Sequence, residues 1–241
     1  MNTRSPPSYQ RQRFPVAMIR HAVWLYFRFA LRYRDGEERM AARGIVLSYA
    51  TIRQWWRKFG QQYANQLRRR RAPTGDKGHL DEVFRTINGK HHSLWRASDQ
   101  HGHGLDILVQ SRRNKAAAKQ CFCKLLKGCQ YGPRVLITDQ RGSYAAAKTD
   151  VLPSGEHRPH KRAGNRAENA PQPTRPRART MRRFKSAGHA QRLLATPGPI
   201  RNQFCPRRQR RAAEHDRTIR RARFAVWNTV TGVQLTAEAA C

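Results

Sequence analysis

The stretch "HLDEVFRTINGKHHSLWRASDQHGHGLDILVQS", residues 79–111, constrains the fold more than any other part of the chain. Three runs rich in β-branched, aromatic and aliphatic residues are separated by "NGK" and "DQHGHG", both of turn composition. The pattern predicts three consecutive strands. Side chains alternate across a strand, so Leu80, Glu82, Phe84 and Thr86 share one face of the first run. Asp81, Val83, Arg85 and Ile87 share the other. A helical run follows, "NKAAAKQCFCKLLKG", then a short buried strand, "RVLITD", and a further helix, "SYAAAK". The order βββαβα predicts an α/β domain with a mixed sheet.

The residues before it read differently. "PVAMIRHAVWLYFRFALRY" predicts a long helix with Pro15 near its start, and "RDGEERMAARG" a shorter one stopped by Gly44. "SYATIRQWWRKFG" predicts a third, capped by Ser48 and stopped by Gly60. In it Ile52, Trp55, Trp56 and Phe59 follow the spacing of a buried face, and Arg53, Arg57 and Lys58 lie away from that face. Three helices, the last basic outside and aromatic inside, fit a helix-turn-helix module; a small bundle with a solvated basic face fits the same pattern.

Charge tilts the balance toward the helix-turn-helix reading. The chain carries 49 Lys and Arg against 15 Asp and Glu, a net charge of +34. Such an excess points to a polyanion, nucleic acid before a membrane surface. Arg20, Arg28 and Arg32 interrupt the most apolar segment, which excludes it as a membrane span. No secretory leader is read at the polar, basic N-terminus, so an intracellular location is expected. The cysteines, Cys121, Cys123, Cys129, Cys205 and Cys241, contain no C-x-x-C pair and read as reduced thiols. His91, His92, His101 and His103 lack a set of partner ligands at metal-site spacing and read as surface residues. Trp95 reads as core, and the run Arg68–Arg71 as a phosphate-contacting linker.

Acids are scarce enough for their positions to carry information. Asp81 lies early in the first strand, Asp139 ends "VLITD", and Glu168 lies in "NRAENAPQPTR" within a strongly basic stretch. Carboxylates suit hard divalent cations, and two such ions can serve phosphodiester chemistry. The spacing alone equally fits solvated charges. Glu82 points away from Asp81 and is the poorer ligand.

The blocks "HLDEVFRTINGKHHSLWRASDQHGHGLDILVQSRRNKAAAKQ", "PRVLITDQRGSYAAAK", "EHRPHKRAGNRAENAPQPTRPRARTMRRFKS" and "RFAVWNTVTG" together resemble the insertion-sequence transposases of the IS-six family. The likeness runs from about Phe14 to Gly232. It implies a ribonuclease H-like, retroviral-integrase-type α/β catalytic domain preceded by an all-α helix-turn-helix domain. It implies Asp81, Asp139 and Glu168 as the catalytic, metal-binding DDE residues, with two Mg²⁺ ions or Mn²⁺ in their place. Arg175 matches the basic residue that contacts DNA in such enzymes. Arg53, Arg57 and Lys58 are the expected DNA-reading residues of the third helix. The implied activity is binding of terminal inverted repeats, 3′-end cleavage and strand transfer in replicative transposition. The implied partners are duplex DNA, element ends and target, and further copies of the chain, with no membrane; the implied location is the bacterial cytoplasm, at the nucleoid.

The domains expected are a basic tail (1–13), the helix-turn-helix (14–60), a linker (61–77), the DDE domain (78–200) and a basic C-terminal segment (201–241). The end of that segment, "RFAVWNTVTGVQL", is apolar enough to pack back on the body. Departures from the family pattern are Gly78 in place of Trp, Gln140 and Gly142 after the second Asp, and Pro171 and Pro176 after the Glu. They keep open a second reading, a degenerate transposase that binds DNA without catalysis.

Overall fold

The computed structural model describes residues 7–29, 31–71, 75–100, 102–111, 116, 119–120, 122–124, 133–138, 151, 156–159, 184–205 and 212–233. The chain forms two compact units, one of Met1–Arg70 with Pro199–Cys241, the other of Arg71–Gly198.

The first unit is helical. Helix α1 (Val16–Arg28) follows Pro15 and buries Ile19, Ala22, Val23, Leu25, Tyr26 and Phe27. It is shorter than the sequence predicts, because α2 (Tyr33–Ala41) begins after a break. The break lets Tyr33 stack on Tyr26 with ring centroids 5.1 Å apart. In one unbroken helix, residues seven apart lie about 10 Å from each other along the axis. Trp56 stacks against both tyrosines. After α2 the chain turns at Gly44, in the left-handed conformation that glycine favours (φ +72°).

Helix α3 (Tyr49–Trp55) starts as predicted, with the Ser48 hydroxyl accepting from the Thr51 N–H. It does not stop at Gly60. A π-helical turn over Trp56–Gly60 leads directly into α4 (Gln61–Arg69). Gly60 is buried with helical dihedrals (φ −55°) rather than left-handed ones. Residues 61–69, expected in a linker, bury Tyr63, Ala64 and Leu67. The arginine run that looked like a linker puts Arg68 and Arg69 in the last turn of α4, where cations complement the helix dipole.

The region expected as tail and the C-terminal segment also join this unit. Tyr9 stacks on Phe59, and its hydroxyl meets the Tyr63 hydroxyl and donates to the Thr231 carbonyl, both at 2.7 Å. Thr231 ends the last helix, α7 (Ala213–Thr231), which stops at Gly232 with φ +71°. Trp227 of α7 packs edge-on against Tyr63, as the apolar C-terminal pattern predicts.

The second unit holds a five-stranded sheet: β1 (Lys77–Ile87), β2 (Lys90–Asp99), β3 (Gly104–Gln110), β4 (Val135–Thr138) and β5 (Glu156–Pro159), in the order β3-β2-β1-β4-β5. The first three strands form the predicted antiparallel meander, and β4 and β5 add in parallel. Asn88 and Gly89 both have positive φ, the signature of a two-residue type I′ hairpin turn. Strand β5 was not foreseen: "EHRP" is a polar edge strand with no apolar alternation to betray it. Leu80, Trp95, Ala97, Leu105, Phe122 and Leu136 form the core on one face.

Helix α5 (Ala187–Ala195), capped by Ser186, packs on β3. Its Gln191 side chain accepts from the Val109 N–H (2.8 Å) and donates to the Ile107 carbonyl (2.7 Å). That amide serves the open edge of β3 as a neighbouring strand would. Helix α6 (Pro197–Phe204) follows. Among the described residues no helix is long and apolar enough to cross a membrane.

Candidate active site and nucleic-acid interface

Asp81 lies in β1, a central strand, and Arg96 is its direct partner on β2. Arg96 Nη2 donates to Asp81 Oδ2 at 2.7 Å, a charge-assisted hydrogen bond. The side chains are 20% exposed for Asp81 and 10% for Arg96. Asp81 and Arg96 lie on the sheet face opposite the Leu80–Trp95 core, as strand alternation requires. Glu82, opposite Trp95, lies on the core side.

The other acids of the described sheet have different commitments. Asp99 closes the β2–β3 turn, accepting from the His103 N–H (2.8 Å) and meeting His103 Nδ1 at 3.1 Å. Asp106 accepts from the Ile107 N–H and faces Lys124 at 3.4 Å. Glu156 takes two hydrogen bonds from Arg158, which hold its carboxyl below the ordinary range. Asp81 keeps Oδ1 uncommitted among the described residues, at a partly exposed position. That is the donor a hard cation requires, so Asp81 fits a Mg²⁺ ligand. Among the described residues no group of three or more His, Cys, Asp or Glu could hold a metal ion. Asp139, Glu168 and Arg175 lie outside the described residues, as do Gln140, Gly142, Pro171 and Pro176.

Strand β4 ends at Thr138, next in sequence to Asp139, and pairs in parallel with β1 through Lys77↔Val135, Gly78↔Leu136 and His79↔Ile137. Gly78 therefore sits within the β1–β4 ladder. A Cβ on it would lie 3.2 Å from Pro133 Cγ and 3.5 Å from Leu136 Cδ1. Pro133 and Leu136 fill the space beside Gly78, so the first strand does not lack packing there.

The sequence reading of the histidines is corrected. His92 is buried and its Nδ1 lies 3.0 Å from the Lys90 carbonyl, and His103 is tied to Asp99; neither is a plain surface residue. Arg71 donates to the Leu105 carbonyl, and Arg68 to Asn65, so these two arginines have partners within the fold. Trp95 is core as expected, and Cys123 and Cys205 are free thiols. Sequence reading missed Arg96. The signal was present, because a two-residue Asn-Gly turn fixes the hairpin register and places Arg96 opposite Asp81.

In the helical unit, Ile52, Trp55, Trp56 and Phe59 are all buried, and Arg53, Arg57 and Lys58 are exposed. The helix that buries four large side chains on one face thus presents three cations on the other. In the same unit, burial holds the His21 imidazole below its ordinary pKa, with Arg43 and Arg20 adding repulsion. Among the described residues its Nε2 is buried without a hydrogen-bond partner.

Residues 75–205 match the DDE domain of IS240-type transposases. The chain is 30% identical over 152 residues to the transposase for insertion sequence element IS257 in transposon Tn4003 of Staphylococcus aureus, covering 63% of this chain and 67% of that one. Identity and coverage are the same for the transposase for insertion sequence-like element IS431mec of S. aureus strain Mu50. Among solved structures, the catalytic domain of Mos1 mariner transposase aligns with a TM-score of 0.40 and 16% identity, over 73% of this chain and 95% of that one. The HTLV-2 integrase catalytic core in complex with magnesium aligns with a TM-score of 0.32 and 12% identity, over 41% and 68%. The matched residues 75–205 contain all five strands, so the α/β unit is the DDE domain of the family.

Proposed function

This chain belongs to the IS-six family of DDE transposases, which are polynucleotidyl transferases, and from that premise we propose that it moves an insertion sequence by cutting and joining DNA at the element's ends. The observation that carries the reading is Asp81: a carboxylate on a central strand, oriented by Arg96, with one oxygen uncommitted. Asp139 and Glu168 complete the proposed site. Asp139 follows the last residue of β4, the strand that pairs with β1.

Asp81, Asp139 and Glu168 would hold two Mg²⁺ ions. When bound, these supply activation of the attacking oxygen and neutralisation of charge on the leaving one. The rigid β1–β2 hairpin and Arg96 fix the Asp81 carboxylate before DNA arrives, so little ordering remains to be done on binding. In the first step water attacks the phosphodiester at the element end, and the P–O3′ bond breaks to free a 3′-OH. In the second, that hydroxyl attacks a target phosphodiester, forming a new P–O bond and releasing a target 3′-OH. In-line attack inverts phosphorus at each step, and the pathway is replicative, leaving a cointegrate.

End recognition falls to the helical unit. Arg53, Arg57 and Lys58 would meet the terminal inverted repeats in a helix-turn-helix mode, with Arg175 contacting DNA near the catalytic site. The protein would act as a homo-oligomer, since two ends must be held together, in the bacterial cytoplasm at the nucleoid.

Asp81→Asn tests the assignment. Mg²⁺-dependent cleavage of end DNA should disappear while end binding persists; unchanged cleavage overturns it. The binding-only reading predicts no cointegrate from the unmutated protein when matched ends are supplied.

A further inference from the structure

Helix α7 changes character halfway along. Phe224, Trp227, Asn228 and Thr231 follow one another at helical spacing and form its anchoring face. Phe224 meets Trp24, Phe204 meets Phe224 and Trp227, Asn228 accepts from Arg20, and Thr231 accepts from Tyr9. Extended toward the N-terminus at the same spacing, this face is Arg217, Arg220 and Arg221. From Ala213 to Ala222 no residue is buried, and these three arginines are exposed. None of them has a hydrogen bond or ion pair among the described residues. The stripe that packs in the second half is therefore arginine in the first, where none of the described residues buries it. Glu214 and Asp216 occupy the first turn, where carboxylates complement the helix dipole.

We propose that Arg217, Arg220 and Arg221 form a second DNA-contacting surface of the helical unit, which grips the phosphate backbone of duplex DNA. Three points favour this partner. The cations stand in line with the face that packs in the second half of the helix, while being exposed themselves. Spacing of three and four residues sets them side by side, as a row of phosphates requires. Guanidinium groups match phosphate oxygens in geometry as well as charge. The unit that holds this half-helix also carries Arg53, Arg57 and Lys58. The inference rests on the reading of that unit as the end-binding part. Backbone contacts carry no sequence information, so this surface contributes affinity and Arg53, Arg57 and Lys58 the choice of sequence.

The test uses the full-length chain and fluorescence anisotropy over a salt series. One probe is a duplex of the element's own end, taken from the DNA flanking the coding sequence; the other is an unrelated duplex of equal length. The triple change Arg217→Gln, Arg220→Gln, Arg221→Gln should reduce the slope of log affinity against log salt by about 2–3. Affinity for both duplexes should fall by the same factor. Replacing the three by lysine should restore most of the slope, which a folding defect in the Gln variant would not allow. The comparison set Arg53→Gln, Arg57→Gln, Lys58→Gln should instead narrow the preference for end DNA. An unchanged slope in the α7 variant, with the comparison set impaired, overturns this inference alone. No change in either set overturns both it and the reading of the helical unit. Loss confined to the element-end duplex, or no rescue by lysine, also overturns it.

Discussion

Asp81 and Arg96 face each other across the β1–β2 ladder, Oδ2 to Nη2 at 2.7 Å, on the sheet face away from the hydrophobic core. The pair joins the proposed catalytic carboxylate to the strand that follows it in sequence. Arg96→Ala leaves Asp81 without its counter-ion. Removing one member of a buried pair costs about 3–5 kcal/mol. Because Asp81 keeps some contact with water, a loss of about 2–3 kcal/mol is expected, measured by urea unfolding followed through tryptophan fluorescence. A loss under about 0.5 kcal/mol would mean that the pair behaves as a surface salt bridge.

Gly78 stands where the family resemblance leads one to expect Trp. With Pro133 3.2 Å from an ideal Cβ, a large side chain has no room unless the β1–β4 region shifts. Gly78→Trp is expected to destabilise the sheet unit by about 1–3 kcal/mol, the usual cost of overpacking. A thermal melt of the variant checks this; a raised melting temperature would mean that the Trp finds a place Pro133 does not fill.

His21 links the stability of the helical unit to pH. Its pKa is lowered in the folded state, so below about pH 6.5 the unfolded chain binds more protons. Stability is therefore complete above that value and falls as the pH drops toward the folded pKa. His21→Gln should flatten the acid limb of the melting temperature below about pH 6.5. The same slope in the variant and the parent would sink the assignment to His21.

Gln191 caps the β3 edge with two hydrogen bonds. Gln191→Leu keeps much of the side-chain bulk and removes both. A stability loss of about 1–2 kcal/mol is expected, since each hydrogen bond contributes about 1 kcal/mol. The uncovered edge should also promote self-association, visible by light scattering. Wild-type stability and scattering together would show that the edge is protected by other means.

The sequence by itself determined most of the sheet unit's local order. Alternation marked β1 to β3, and "NGK" marked the turn, within which the positive φ values of Asn88 and Gly89 set the register. That register already contained the Asp81–Arg96 pair. Ser48 as a cap and the burial of Ile52, Trp55, Trp56 and Phe59 were equally legible, because caps and helical periodicity act over a few residues. Membership of a DDE family was legible too, from blocks of residues in order along the chain.

The tertiary structure decided what depends on distant partners. Gly60 could end a helix or pass through it, and the burial of Tyr63, Ala64 and Leu67 settles it as the latter. The four residues of β5 have no strand signal of their own and become a strand because β4 offers a parallel edge. Helix α7 joins the N-terminal helices through Tyr9, Tyr63 and Trp227, contacts that span nearly the whole chain. Short-range preferences bias the backbone by about 1 kcal/mol or less per residue. Burying one large side chain contributes about 1.5–3 kcal/mol. Where a distant partner offers that burial, packing overrides the local signal, and the outcome appears only once the chain has folded.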